Sequence, residues 1–266
     1  MSDYQHLMVS HQNGIVTVRL NRPDARNALN TLMMQELTAF ARAYRTRPDV
    51  RAIILRGGDQ NFSAGADLGG TALAERGAPP PLLELREAVL AGPDMCKAWE
   101  EIEAVTIVAI EGYCVGGACA LATSCDFRIV GEGAGMRLPE VPLGINMSWR
   151  SVPRLVSLMG PARAKRFVMF GEMAGAETCV AWGLADERVD KGQAYAAAQV
   201  WAQKVAALPP LPVRMTKESV NAIAGANHHA SSFMDRDQFL LTFASKDFAE
   251  GVKAFFEKRE PNFKGE

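Results

Sequence analysis

The chain has 266 residues, of which 48% are hydrophobic and 22% are charged, and its formal net charge is −1. These values are typical of a globular protein that buries a sizeable core without help from disulfides or a structural metal. A near-neutral charge argues against nucleic acid as the main partner, because phosphate binding usually requires a basic face.

Cysteine content and the first residues bear on the cellular compartment. Five cysteines without a CxxC pair indicate free thiols in a reducing compartment, rather than disulfides or a zinc site. The amino-terminal residues show no signal-peptide pattern, and no apolar stretch approaches the roughly 20 residues of a membrane span. We therefore expect a cytoplasmic protein with no membrane partner.

The first half of the chain alternates predicted strands with predicted helices. A hairpin that turns at Asn13-Gly14 is predicted by LMVSHQNGIVTVRL, and a helix capped by Asn30 is predicted by NTLMMQELTAFARAY. Buried strands are predicted by three apolar runs, RAIILRG, IVAIEG and DFRIV. This alternation favours an α/β fold with right-handed crossovers.

From about residue 148 the pattern becomes helical and stays so to the charged carboxyl end. Helices are predicted by SWRSVPRLVSLMG, PARAKRFVMFG, AGAETCVAWGL and AYAAAQVWAQKVAAL, and by the segment after Pro209. Residues 69–81, GGTALAERGAPPP, combine glycine and proline with little apolar content. They are either a surface connection or a lid that faces a substrate, and the sequence leaves both open.

Small residues or a carboxylate directly follow three of the predicted strands. The stretches concerned are NFSAGADL, EGYCVGGACAL and GMRLPEVPLGI. In open α/β sheets the carboxyl ends of the strands form the ligand crevice. We therefore expect these three stretches to meet in one site.

Together with two further motifs, these stretches resemble the crotonase superfamily, the enoyl-CoA hydratase/isomerase family. The matching pieces are LNRPDARNALN, NFSAGADL, GYCVGGACALATSCD, LPEVPLGI and FFEKREPNFK, in the family's order over essentially the whole chain. The resemblance implies an α/β fold with a spiral of repeated ββα units in residues 1–200. It also implies a carboxyl-terminal helical region, 201–266, that completes a CoA site and mediates assembly into a trimer or a dimer of trimers.

The resemblance further implies an oxyanion hole for a thioester carbonyl, formed by the backbone N–H groups of Ala66 and Gly117. Chemistry beside a thioester builds negative charge on its oxygen, and two fixed donors in a dry site stabilise that charge. Glycine suits position 117, because a side chain there would stand where the thioester must sit. Taken alone, Gly116-Gly117 would indicate tight packing of a strand against a helix; the other four motifs favour the oxyanion hole.

The family's CoA contacts map onto six positions, and no cofactor beyond the CoA of the substrate and no metal is implied. Contacts with the adenine end map onto three residues, Ala64, Asp67 and Leu68. Arg26 matches a cation that contacts the CoA phosphates. Lys258 matches a lysine that reaches CoA, often from a neighbouring subunit, and Phe239 matches an aromatic residue of the same region.

Glu140 is the acid/base residue that the resemblance implies, and it stands alone. Hydratases of the family commonly have a second glutamate, at the position of Ala120 here. Isomerisation of a 3-enoyl to a 2-enoyl thioester needs one proton-carrying group, which favours an isomerase. A branch or an aromatic group at C3 would ease water addition with one carboxylate. Hydration of a branched or C3-activated 2-enoyl-CoA is therefore our first interpretation, an isomerase the second and a non-catalytic acyl-CoA-binding relative the third.

Two arginines bear on the acyl group. Arg137 lies three residues before Glu140, and Arg150 follows a stretch that in many hydratases is rich in glycine. A guanidinium that faces the acyl pocket would pair with a carboxylate on the substrate, as in a glutaconyl-type acid. Surface or interface charges are the alternative for both. Bulky residues nearby, among them Met147 and Trp149, line either that pocket or the core.

Overall fold

The computed structural model describes residues 4–67 and 81–266. Leu68 and all but the last residue of the glycine- and proline-rich segment 69–81 lie outside these ranges. The strands are β1 (Leu7–Gln12), β2 (Ile15–Leu20), β3 (Ala52–Arg56), β4 (Val105–Ile110), β5 (Tyr113–Val115), β6 (Phe127–Gly131), β7 (Gly135–Arg137), β8 (Ala174–Gly175) and β9 (Glu187–Val189).

Helices fill most of the remaining described chain. They are α1 (Thr31–Tyr44), α2 (Leu82–Ala88), α3 (Ala91–Glu100), α4 (Gly117–Thr123), α5 (Ser151–Phe170), α6 (Ala176–Trp182), α7 (Ala194–Ala206), α8 (Pro210–Ala224), α9 (His228–Ser232), α10 (Asp235–Phe243) and α11 (Lys246–Glu257). Two short 3₁₀ turns span Pro23–Ala25 and Val141–Leu143. None of the helices in the described ranges is both long enough and apolar enough to cross a lipid bilayer.

Two sheets organise the fold. The large sheet has the strand order β1-β2-β3-β4-β6-β9, and the small sheet has the order β5-β7-β8. The units β4-β5-α4 and β6-β7-α5 each place their first strand in the large sheet and their second strand in the small one. The predicted α/β class and the repeated ββα unit are thus confirmed.

The predicted local signals are also confirmed. Strands β1 and β2 form an antiparallel hairpin, and Asn13 and Gly14 both have positive φ angles at its turn. The side-chain oxygen of Asn30 accepts the N–H of Met33 at 2.9 Å and caps α1. Helix α5 is interrupted at Gly160, where the sequence predicts two helical segments.

The core lies on both faces of the large sheet. Alternate side chains of β3 point to opposite faces, so Ile53 and Leu55 pack towards α1 and α3 while Ile54 packs against α7. Helix α7 covers its face with a stripe of buried alanines, Ala194, Ala198 and Ala202. The predicted division of the chain at residue 200 falls inside α7. That division, and the trimer contacts of the region beyond it, stay predictions.

Candidate active site

The N–H group of Ala66 points away from the strand that pairs with it. Leu29 and Ala66 form a parallel bridge, in which the Leu29 N–H donates to the Gly65 carbonyl at 2.7 Å and the Asp67 N–H donates to the Leu29 carbonyl at 3.1 Å. A parallel bridge of this kind uses atoms on either side of Ala66 and leaves its own N–H on the opposite edge. No backbone hydrogen bond within the described ranges has this N–H as its donor.

The N–H group of Gly117 is free for a different reason. Gly117 is the first residue of α4, so its N–H has no intrahelical acceptor. Just before it, the chain turns at Gly116 with a φ of 55°, and the Gly116 N–H donates to the Arg137 carbonyl at 2.8 Å. A Cβ atom placed on Gly65 would lie 3.6 Å from the Gly117 nitrogen. The structure therefore brings the segments of Ala66 and Gly117 together, in an arrangement suited to holding one carbonyl oxygen.

The carboxyl group of Glu140 lies at the same place. A Cβ atom on Gly116 would come 2.8 Å from Glu140 Oε1, so only glycine leaves the carboxyl its position. The other oxygen, Oε2, is buried and has no hydrogen-bond partner in the part of the chain that the structure describes. Burial raises the pKa of Glu140 to about 7, against the smaller opposing effects of a backbone hydrogen bond and the charge of Arg137.

A carboxyl group with this pKa is present in both protonation states near neutral pH. It can therefore accept a proton in one step and donate it in the next, which is the requirement for a general acid/base. The unpartnered Oε2 atom also leaves one oxygen available to a substrate or to a water molecule. The site thus combines two N–H groups that donate to no backbone acceptor among the described residues with one carboxyl group that can carry a proton near neutral pH.

The raised pKa of Glu140 predicts a pH-dependent stability. Its pKa is about 7 in the folded protein against 4.5 for a solvated glutamate side chain. The unfolded chain therefore releases this proton first, and the free energy of unfolding falls as the pH rises from 4.5 to 7, by up to about 3 kcal/mol. Urea unfolding of the wild type and of Glu140→Gln at pH 5 and pH 8 measures this. The glutamine variant should lose stability less than the wild type between these two values; parallel losses would contradict the raised pKa.

Ala120 lies at the position that the resemblance assigns to a second glutamate in hydratases. It lies one turn along α4 from Gly117 and is fully buried, and its N–H donates to the Gly116 carbonyl at 3.1 Å. Residues three apart on a helix share a face, so the Ala120 methyl group lies on the side of α4 that carries Gly117. A methyl group can neither accept nor donate a proton, so Ala120 cannot take part in proton transfer.

The two arginines have different surroundings. The Arg137 Nε atom donates to the carbonyl of Gly171 at the carboxyl end of α5, at 2.5 Å. Its two Nη atoms make no hydrogen bond within the described residues. The backbone N–H of Arg150 donates to the Asp235 carboxylate at 2.9 Å and ties the start of α5 to α10.

Part of the predicted CoA-binding set is brought together. Arg26 is exposed, and its carbonyl accepts the N–H of Ala64 at 3.1 Å. The Asp67 carboxylate forms an ion pair with Arg22 at 3.0 Å. Sequence reasoning missed Arg22, although LNRPDARNALN contains both arginines, because the pairing with a residue 45 positions away is visible only in the fold.

The other part of that set lies on the carboxyl-terminal helices. Phe239 is half-buried on α10 and stacks on Phe243, with ring centroids 5.7 Å apart. Lys258 is exposed and ends α11 with a left-handed φ of 53°. Among the described residues, neither makes a hydrogen bond or an ion pair with Arg26 or Ala64. Their contact with CoA, from the same subunit or a neighbouring one, stays a prediction, as does that of Leu68, which lies outside the described residues.

Similarity to known proteins extends over nearly the whole chain. Residues 10–266 match the sequence model of the family described as Enoyl-CoA hydratase/isomerase. A crotonyl-CoA hydratase of Syntrophomonas wolfei is 31% identical, with 98% of each chain covered. A 2,3-dehydroadipyl-CoA hydratase of Escherichia coli is also 31% identical, with 97% of this chain and 98% of the relative covered. The crystal structure of an enoyl-CoA hydratase/isomerase from Xanthobacter autotrophicus aligns with a TM-score of 0.85 at 28% identity, over 96% of this chain and 94% of that one.

Proposed function

The chain belongs to the enoyl-CoA hydratase/isomerase family, and on that premise we propose that it hydrates a 2-enoyl-CoA with a branched or otherwise activated C3. The observation that carries this proposal is the Glu140 carboxyl group, which has one buried oxygen without a hydrogen-bond partner among the described residues and packs against Gly116, the residue before Gly117. The names of the two relatives, both hydratases, support water addition over other reactions of the family.

The proposed reaction starts with the thioester oxygen on the N–H groups of Ala66 and Gly117. Ionised Glu140 takes a proton from water as the water oxygen bonds to C3, and the electron pair of the C2–C3 double bond moves towards the thioester. The two N–H donors stabilise the negative charge that develops on the oxygen. Glu140 then delivers the proton to C2, the carbonyl re-forms, and the carboxylate is regenerated with one water added.

Substitution at C3 is proposed because one carboxyl group does the work of two. With Ala120 in place of a second carboxylate, water receives less assistance as it attacks. A methyl branch or a conjugated group stabilises the partial positive charge that develops at C3, so the attack needs less help from a base. The pKa of about 7 lets Glu140 act first as the base and then as the acid.

Isomerisation of a 3-enoyl-CoA to a 2-enoyl-CoA is the second candidate, and Ala120 is the observation that favours it. In that reaction Glu140 takes a proton from C2, the same N–H donors hold the enolate, and the proton returns to C4. No water participates. The two reactions therefore place the same residues in the same roles and differ in where the carried proton goes.

The exposed cation Arg26, with the Ala64 backbone and the Asp67–Arg22 pair beside it, is the proposed site for the CoA moiety. The proposed chemistry uses no metal ion or redox group. Assembly into trimers or hexamers and a cytoplasmic location belong to the proposal as well.

The reaction is tested by incubating the protein in D₂O with matched 2-enoyl- and 3-enoyl-CoA thioesters, with and without a 3-methyl group. Mass spectrometry then reads the addition of water and the position of deuterium. Water added to 3-methyl-2-enoyl thioesters supports the hydratase. Conversion of 3-enoyl to 2-enoyl thioesters without added water would reject it in favour of the isomerase.

Arg137 is the proposed partner of a carboxylate on the acyl group, because both of its Nη atoms are without a hydrogen bond among the described residues. We expect Arg137→Ala to lower kcat/KM by about 10- to 150-fold on 3-methylglutaconyl-CoA, the value of a charged hydrogen bond. The matched neutral substrate, 3-methylbut-2-enoyl-CoA, should be affected much less. Equal losses on the two substrates would reject recognition of the substrate carboxylate by Arg137. They would leave it the contact with Gly171 and the effect of its charge on Glu140.

A further inference from the structure

The indole ring of Trp149 is held between two glycines of different helices. One is Gly117, which begins α4 and carries the oxyanion N–H; the other is Gly92, in the first turn of α3. A Cβ atom on either glycine would overlap carbon atoms of the Trp149 ring. Any other residue at these two positions would therefore force the ring to move, so the pair forms a slot as wide as one aromatic ring.

The backbone that presents this ring is unusual. Trp149 and the next residue, Arg150, both have left-handed φ angles, 59° and 57°, which residues other than glycine rarely adopt. A strained pair of this kind persists only where its surroundings impose it, and such pairs concentrate at functional sites.

Hydrogen bonds from two helices hold the pair in place. Arg154 of α5 is 4% exposed, and its Nη1 atom donates to the carbonyls of Trp149 and Arg150 at 3.2 and 3.1 Å. Its Nη2 atom pairs with Glu100, at the end of α3, at 2.7 Å. Glu100 and Gly92 belong to the same helix, so the Arg154–Glu100 pair fixes the ring relative to the helix it packs against.

The position of the ring determines how far an acyl group can extend. An acyl chain whose carbonyl oxygen is held by the Gly117 N–H begins beside the residue on which the indole lies. A straight chain directed between α3 and α4 would meet the ring, whereas a short group with a branch at C3 would end before reaching it. Ala120, one turn beyond Gly117, leaves no other large side chain on that part of α4.

We propose that Trp149 is the specificity-determining wall of the acyl pocket, so that the protein accepts short, C3-branched acyl groups and excludes long straight ones. This inference rests on the acyl-CoA chemistry proposed above. Its test uses binding of saturated acyl-CoAs, which lack the double bond and are not hydrated, so that it is separate from turnover.

Isothermal titration calorimetry would compare 3-methylbutanoyl-CoA with octanoyl-CoA on the wild type, Trp149→Ala and Trp149→Phe. The wild type should bind the branched ligand more tightly. Trp149→Ala should bind octanoyl-CoA at least about tenfold more tightly than the wild type does, the value of two newly buried methylene groups. Its affinity for 3-methylbutanoyl-CoA should not increase, and Trp149→Phe, which keeps a ring in the slot, should retain the order of the wild type.

Tryptophan fluorescence gives a second readout that does not depend on the alanine variant being stable. 3-Methylbutanoyl-CoA should change the emission of the wild type, octanoyl-CoA at the same concentration and free CoA should change it much less, and Trp149→Phe should lose the change. An unaltered preference in Trp149→Ala, an equal gain for both ligands, or the same emission change in Trp149→Phe would each overturn the proposal. Absence of hydration by the wild type, with the expected shift in Kd, would refute the reaction and support the role of Trp149.

Discussion

Glu140→Gln is expected to lower kcat by about 10²- to 10⁴-fold, the range that one positioned acid/base contributes. The amide has the shape of the carboxyl group and fits the space beside Gly116, but it cannot take a proton from water or from C2. Binding of a saturated acyl-CoA should change little, because the N–H groups of Ala66 and Gly117 remain in place. Steady-state kinetics on the substrate identified in D₂O, with the Kd of its saturated analogue, measure both quantities.

Glu111→Gln provides the matched control. Glu111 lies six residues before Gly117 in the sequence, but its carboxylate accepts the Ala194 N–H at the start of α7, at 3.0 Å. A glutamine keeps an oxygen for that bond, so kcat should stay close to that of the wild type. Retained turnover in Glu140→Gln would remove Glu140 from the mechanism, whichever reaction the protein catalyses.

The sequence predicted best those features that depend on residues close together in the chain. The turn at Asn13-Gly14 and the cap at Asn30 each involve a few consecutive residues, and both are present. The long buried strands were also predicted, because an apolar run of five or six residues is a strong signal. Strands β5, β7 and β8 have two or three residues each and are too short to show a period, although they form the sheet next to the site.

The parts of the site that sequence could not predict depend on contacts between distant segments. The Arg22–Asp67 ion pair joins residues 45 positions apart, and the Trp149 ring packs on glycines from two other helices. The sequence around Trp149 is compatible with a pocket wall and with the core, and it does not distinguish them. Only the packing of α3 against α4 decides between these, because it sets the width of the space into which the ring fits.

The Glu140 carboxyl group shows how the sequence motif and the fold together produce a candidate acid/base. The motif identifies the residue, but a glutamate in a PE dipeptide would have an ordinary pKa if it were solvated. Burial raises that pKa to about 7, and the absence of a Cβ on Gly116 lets the carboxyl approach the turn that leads into α4. The residue type thus comes from the sequence, and its suitability for proton transfer comes from the fold.

Gly117→Val is expected to lower kcat/KM by at least about 10²-fold, comparable to the loss of one oxyanion donor. The new side chain would overlap the Trp149 ring, and we expect it to crowd the N–H group proposed to hold the thioester oxygen. Forcing a packed ring aside should also cost about 1–3 kcal/mol of stability, which leaves a folded protein that thermal unfolding can verify. Kinetics at a temperature well below the unfolding transition then separate the lost activity from lost structure.

Gly175→Val is the control for the substitution itself, because a Cβ atom there meets nothing within 4 Å and its φ of −68° suits any residue. It should keep its activity and, because Gly175 is the N-cap of α6, lose no more than about 1 kcal/mol of stability. The double variant Gly117→Val/Trp149→Ala separates two causes of the loss, since it gives the valine room without restoring access to the N–H. Recovery of stability without recovery of kcat/KM would place the defect at the oxyanion hole itself. Full activity in a folded Gly117→Val protein would show that the thioester oxygen is held elsewhere.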